Sequence, residues 1–302
     1  MKLFDLHTDT ATHLFYRALP FNSPSISASA HRLEDWEHQS RVFAVFTRTH
    51  LSDEAGYHSF FAVREHLLDT LPPYVDHLTP YLAVEDARIL NGRLERVDEL
   101  YRAGVAIITP LWRGLTVIGG AFDTNAGLTD FGRCAIQRMQ ELGIVVDVSH
   151  ASDNSFCEIA EIAELNHHPI LATHSNSRAV HPHPRNLTNE QFCAVRASGG
   201  LVGLSFCPEH LSDSSASSRN LLLHLEHYLA LGGEDTVAFG TDFDGIERTP
   251  IDLKNVTQLL SFADQMAQLG YSDALISKLF YKNAEDFFGK HCIKKFKRQE
   301  TL

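Results

Sequence analysis

Residues Leu142–Ser175 read LGIVVDVSHASDNSFCEIAEIAELNHHPILATHS. Gly143 sits where a preceding helix should stop. The run Ile144–His150 follows, with the near-continuous apolar character of a strand buried on both faces. Asn154–Leu165 then carries apolar residues at helical spacing, and Pro169–His174 returns to an apolar run. A strand, helix and strand of these lengths form a crossover, and such a crossover requires parallel strands. Both strands close on a histidine, His150 and His174. A buried imidazole needs a partner for each ring nitrogen, so packing is a poor reason for two such endings in succession. Metal ligation is the better one.

The same unit recurs in both directions along the chain. Strands are predicted at Leu3–Asp9, Arg41–Thr47, Thr79–Glu85, Val105–Trp112, Ile144–His150, Pro169–His174, Leu201–Phe206 and Val237–Asp242. Helical patterns fall at Glu54–Leu71, Val97–Ala103, Phe131–Leu142, Asn154–Leu165 and Asn220–Leu231. Asp130 and Thr188 are the expected N-caps, and Gly143 and Gly232 the expected stops. The order is strand–helix repeated eight times. No glycine-rich phosphate loop follows the first strand, so a closed (β/α)8 TIM barrel fits better than an open α/β sheet. After Asp242, Leu253–Leu269 and Ala274–Phe288 read as terminal helices that close the barrel. One domain is expected over residues 1–288. Residues 289–302, with Lys290, Lys294, Lys295, Lys297 and Arg298, are expected as a solvated basic tail. Asn22–Ala30 (NSPSISASA) and Ser212–Ser218 (SDSSASS) read as surface loops, each near enough to a strand end to cover a site there.

Composition narrows the function. The 302 residues are 44% hydrophobic and 21% charged, a globular balance. A formal net charge of -12 argues against a nucleic-acid-binding surface. The five cysteines are scattered with no CxxC pair, as expected of reduced thiols in a cytoplasmic protein. Met1-Lys2 leads straight into the first strand without the apolar region of a signal peptide, and no run approaches the ~20 apolar residues of a membrane span. There is no HExxH helix, GxSxG elbow, phosphate loop or GxGxxG turn.

What remains is a set of polar residues at the strand ends, where a barrel carries its active site. His7 and Asp9 are two apart on one strand and so share a face. Glu85 ends the third strand, and a carboxylate there can bridge two cations. Trp112 ends the fourth, and His150 and His174 the next two. Asp242 and Asp244 follow the eighth strand; one of them should face the site while the other caps a turn. His181-Pro182-His183-Pro184 carries two prolines and reads as a structural loop.

With these residues in view, the chain resembles the renal (membrane) dipeptidase family of metallopeptidases, family M19, from Leu3 to about Phe288. The resemblance rests on DLHTD (Asp5–Asp9), AVED (Ala83–Asp86), GLTDFG (Gly127–Gly132) running into LGIVVDVSH (Leu142–His150), THS (Thr173–Ser175) followed by PRN (Pro184–Asn186), and FGTDFDG (Phe239–Gly245). It implies two zinc ions per chain, one held by His7, Asp9 and Glu85, the other by Glu85, His150 and His174. It also implies metal-activated hydroxide attack on a dipeptide, with Asp242 moving the proton and Arg185 binding the substrate's terminal carboxylate. A homodimer is expected by family analogy. One position departs: where the family's dipeptidases carry a histidine that contacts the scissile group, this chain has Trp112, and an indole donates one hydrogen bond without exchanging protons at neutral pH. Two other readings therefore stay open, a hydrolase for a different small amide with a pocket reshaped by Trp112, and a catalytically weak metal-binding protein. The alternative orientation of Trp112 is into the barrel wall, with Arg113 supplying a donor.

Overall fold

The computed structural model describes residues 1–291 and 293–297. Eight parallel strands close into one barrel in sequence order: β1 (Lys2–Thr8), β2 (His38–Phe46), β3 (Leu78–Glu85), β4 (Val105–Thr109), β5 (Val145–Asp147), β6 (Ile170–Ala172), β7 (Leu201–Leu204) and β8 (Val237–Phe239). The (β/α)8 expectation holds. The strands are shorter than their apolar runs, because the last residues of each run leave the hydrogen-bonded ladder. Trp112, His150, His174 and Asp242 therefore stand just beyond the strands instead of at their final positions.

Around the barrel run α1 (Thr10–Arg17), α2 (Asp53–Thr70), α3 (Glu95–Arg102), α4 (Asp130–Glu141), α5 (Asp153–Leu165), α6 (Asn189–Ala197), the short α7 (Pro208–Leu211) and α8 (Ser218–Ala230). Thr188 caps α6 with a reciprocal capping box to Gln191. Asp130 is not the cap of α4: Thr129 accepts the N–H of Gly132, and Asp130 is the first helical residue, where its charge favours the helix dipole. Gly143 and Gly232 take φ of 76° and 78° directly after α4 and α8, as helix stops. The expected helix over Leu253–Leu269 is confined to α9 (Gln258–Gln268), and the last pattern divides into α10 (Asp273–Ser277), a π-turn (Lys278–Lys282) and α11 (Asn283–Lys290).

Alternation along the strands sorts the core into two compartments. Inside the barrel lie Phe4, Leu6, Val42, Tyr81, Ala83, Val145, Leu171 and Ala238. Outward residues such as Leu3, Phe43, Val84, Val146, Val202 and Phe239 pack against the helices. Phe288 of α11 plugs the N-terminal mouth, its ring centroid 4.5 Å from Phe4 and 4.6 Å from Tyr81. The segment after Lys290 is more than a solvated tail. Ile293 and Phe296 are buried, and the Phe296 N–H donates to the Pro80 carbonyl at 2.7 Å, while Lys294, Lys295 and Lys297 remain exposed. Arg298 and Cys292 lie outside the described residues. The metal-ligand types gather at the opposite, upper mouth.

Candidate metal centre

Strand parity decides which polar groups enter the upper mouth. Tyr81 and Ala83 face inward on β3, and Glu85 keeps their phase. Val145 and Leu171 likewise bring Asp147 and Thr173 inward. On β1 the rule would fail: Phe4 and Leu6 are interior, so strict alternation would turn His7 outward. The pairing of β1 with β2 shifts register between Asp5 and Thr8, and this irregularity re-aims His7 into the mouth. Asp5 beneath it accepts from the backbone and hydroxyl of Thr241 at 2.9 and 2.6 Å, tying β1 to the end of β8. His150 and Asp242 have φ of 70° and 60°, an uncommon conformation for L-residues that is held at functional sites.

The result is a compact donor set. His7 Nε2 stands 3.5 Å from both Asp9 Oδ2 and Glu85 Oε2. Glu85 Oε1 lies 3.1 Å from His150 Nε2 and 3.7 Å from His174 Nε2. Two groups that could hold a metal ion share Glu85: His7, Asp9 and Glu85, and Glu85, His150 and His174. A third, His7, His174 and Asp242, overlaps both. The structure thus brings together the five predicted ligand residues with Asp242.

The ring tautomers test whether a cation fits. Thr173 Oγ1 donates its one proton to Asp147 Oδ2 at 2.6 Å. It must therefore accept from His7 Nδ1 at 3.2 Å and His174 Nδ1 at 2.8 Å. His150 Nδ1 donates to the Trp112 carbonyl at 3.1 Å. All three rings then present an unprotonated Nε2 to the centre, as histidine ligands do. His7 Nε2 is buried with no hydrogen-bond partner, and Nε2 of His150 and His174 face each other at 3.0 Å. Lone pairs so close, beside two carboxylates, fit a donor set built for positive charge. Burial opposes charge on His7, yet Glu85 and Asp9 outweigh it and raise its pKa well above the ordinary value, so without a cation His7 Nε2 takes up a proton that a bound ion would replace. Burial, with Arg185 nearby, holds His150 and His174 neutral, well below theirs.

Membership in a family is decided by the comparisons with known proteins. The profile of the membrane dipeptidase family, peptidase family M19, matches residues 73–290. The chain belongs to this family. As an M19 protein it is a metallodipeptidase, a metal-dependent hydrolase with a peptide substrate. A Klebsiella pneumoniae protein described as uncharacterized, from the pqqA 5′ region, is 35% identical over 213 residues, covering 66% of this chain and 77% of that one. The dipeptidase AC, an M19 metallopeptidase of known structure, superposes with a TM-score of 0.86 at 25% identity over 97% of this chain and 98% of its own. A Rhodobacter sphaeroides metallopeptidase, solved with a phosphinate mimic of L-Ala-D-Ala, shares the fold with a TM-score of 0.85 at 24% identity over 97% and 99% of the two chains. Among the described residues of the M19 chain, no helix is long and apolar enough to cross a membrane.

Above the donor set lies a cavity of about 550 Å³, lined by residues that include Asp9, Glu85, His150, Asp242, Arg185 and Trp112. Trp112 does not turn into the barrel wall. Its ring lies 4.9 Å from Phe46 and 6.1 Å from His150, while Arg113 sits over its outer side. Arg185 is buried and donates to the His174 carbonyl at 3.3 Å; its Nε has no partner. Of the two late aspartates, Asp242 faces the donors, 4.0 Å from His7 Nε2. Asp244 accepts from Thr10 and from the Ser27 backbone at 2.6 and 2.7 Å, so it fixes the Asn22–Ala30 loop beside the mouth.

Three participants carried no signal of their own in the sequence. Thr173 and Asp147 act through the histidine rings, and His210 lines the cavity 4.9 Å from His183. Strand parity could have found the first two. His181 is structural, facing the Glu209 carbonyl at 3.1 Å. Cys207 reaches the cavity, but burial and the nearby Asp242 and Glu209 push its thiol far above the ordinary value, which suits a protonated bystander.

Proposed function

We propose that the enzyme is a two-zinc dipeptidase in which His7, Asp9 and Glu85 hold one ion and Glu85, His150 and His174 the other. The observation that carries this reading is the pair of three-ligand groups sharing Glu85. Bound ions would acidify a water and polarise the scissile carbonyl.

The chain's own residues supply the rest. Burial, Asp9 and Glu85 raise the Asp242 carboxyl well above the usual range, against His7 and Arg185. Its place, 4.0 Å from His7 Nε2 at the edge of the donor set, supports a role in accepting the water's proton and returning it to the leaving amine. Arg185, with its free Nε, binds the substrate's terminal carboxylate by charge-assisted hydrogen bonds. Trp112 and Phe46 form an aromatic wall that excludes water from the scissile bond. One catalytic domain takes in the barrel and its terminal helices, and the segment through Phe296 packs onto its base. The free, dispersed cysteines support a cytoplasmic location.

Elemental analysis after zinc reconstitution, with chelator-reversible dipeptide hydrolysis, tests the reading; one ion or none per chain refutes the two-zinc assignment. Free-acid dipeptides should be far better substrates than their amides, and equal rates would remove the role of Arg185. A second reading, hydrolysis of a different small amide, is favoured by Trp112, whose indole cannot exchange protons at neutral pH. If Trp112→His creates dipeptidase activity absent from the wild type, that second reading replaces the first.

A further inference from the structure

The order of the barrel places two guanidinium groups on opposite sides of the mouth. Arg185 follows β6, and Arg48 follows β2, four strands away in a closed ring of eight. Both line the cavity over the donor set. Between them, along one side of the rim, runs a chain of ring contacts. Phe46 meets Trp112 at 4.9 Å, Trp112 meets His150 at 6.1 Å, His150 meets Phe122 at 6.0 Å, and the Arg185 guanidinium lies 5.9 Å from the Phe122 ring.

Arg48 is held there by a built support. Arg88 donates to the Arg48 carbonyl at 2.8 Å, to the Leu51 carbonyl at 2.9 Å and to Asp53 and Asp86 at 2.7 and 3.0 Å. Thr47 donates its hydroxyl to the Asp86 carbonyl at 3.0 Å. The Arg48 guanidinium lies 4.3 Å over the Tyr16 ring, whose hydroxyl is tied to Ser59. Arg48 is half-buried and forms no ion pair among the described residues. Several acids of this region have partners of their own: Arg88 takes Asp53 and Asp86, Arg248 takes Glu209 at 2.6 Å, and Thr10 and Ser27 take Asp244, while Glu247 lines the exposed rim of the cavity. A positioned, half-desolvated cation with no internal partner is suited to an anionic group of a ligand.

We infer that Arg48 is a specificity-determining residue that binds a side-chain carboxylate on the substrate's N-terminal residue, so that the preferred substrates are dipeptides beginning with glutamate or aspartate. The inference rests on the reading that Arg185 takes the C-terminal carboxylate and that the scissile bond lies over the donor set. The N-terminal residue then points toward β2. Two residues span at most about 7 Å when extended, and the acidic side chain supplies the remaining reach across the mouth. Phe46 and Trp112 flank its methylenes, and Arg48 meets its carboxylate.

The test compares Glu-Ala with Gln-Ala and Lys-Ala on the zinc-reconstituted enzyme, and measures calorimetric binding of the reduced-amide analogues of Glu-Ala and Gln-Ala. Wild type should favour Glu-Ala over Gln-Ala by about tenfold or more in kcat/KM, the scale of one charge-assisted pair, and bind the glutamyl analogue more tightly by a similar factor. Arg48→Met, which keeps the apolar stem, should bring both ratios near one. Arg48→Glu should favour Lys-Ala. Equal binding of the two analogues by wild type overturns the inference whatever the activity, as does a Glu-Ala preference that survives Arg48→Met. Failure of every dipeptide to be hydrolysed is a different result: it overturns the dipeptidase reading and removes the inference with it.

Discussion

Replacing Thr173 with valine should weaken metal binding at both ion positions at once. The hydroxyl accepts the Nδ1 protons of His7 and His174, at 3.2 and 2.8 Å, and donates to Asp147 at 2.6 Å. Valine keeps the shape and removes all three contacts. A partner of this kind for one metal-bound histidine is worth about 10- to 100-fold in affinity. Here a single hydroxyl serves one histidine in each three-ligand group, so the upper end applies and zinc affinity should fall about 100-fold, or about 2.7 kcal/mol. The metal-free protein should also lose about 2 kcal/mol, because two buried N–H groups lose their acceptor. Competition against a chromophoric zinc chelator measures the first effect, and urea denaturation of metal-free protein the second. Thr173→Ser restores the hydroxyl and should restore both. A valine variant with wild-type zinc affinity would refute the argument that this hydroxyl sets the tautomers of the two rings.

Other expectations are independent of that network. Asp242→Asn should keep its metal and lose about 10²-fold or more in kcat, the scale of a general acid–base group; near-full activity would eliminate Asp242 as the proton shuttle. Gly245→Ala should cost metal affinity with little loss of fold, since a Cβ there would stand 2.2 Å from Asp9 Oδ2 and 2.9 Å from Asp242 Oδ1 while Gly245 itself is exposed; an unchanged chelator titration would contradict it. His224 provides a pH test. Its Nδ1 accepts the Ser177 N–H at 3.0 Å and its Nε2 faces the Leu211 carbonyl at 3.3 Å, and burial lowers its pKa to about 4. A depressed histidine favours the folded state above its unfolded pKa, near 6.5, and that contribution is lost as pH falls toward 4. At about 1.4 kcal/mol per unit this amounts to about 3 kcal/mol. The stability difference between wild type and His224→Gln should shrink by that order from pH 7 to pH 4; a constant difference would show that His224 is not the titrating group.

Much of this protein is legible in the order of its residues. The alternation of buried strands with amphipathic helices forces parallel crossovers, and eight of them close a barrel. Ligand-type residues at the ends of the apolar runs mark one mouth, because barrel strands deliver their last residues to the same end. The clearest boundary errors have a physical origin. Apolar runs continue past the hydrogen-bonded ladder because residues such as Val148 and Phe243 stay buried above the strands, so hydrophobicity overstates strand length. Asp130 looks like a cap, but Thr129 directly before it takes the N–H of Gly132, and two adjacent capping types cannot be ranked without the backbone angles.

Local pattern therefore determined the architecture and nominated His7, Asp9, Glu85, His150 and His174, because periodicity and residue type are properties of short segments. Tertiary structure alone decided how those residues are used. The register shift that turns His7 inward depends on the pairing of β1 with β2. The choice of Asp242 over Asp244 depends on Thr10 and Ser27, more than 200 residues earlier in the chain. The hydroxyl that fixes the tautomer of His7 comes from a residue 166 positions away, and Arg48 faces Arg185 only because the barrel closes. Contacts of that separation leave no periodic trace in a sequence. They exist only once the chain has met itself.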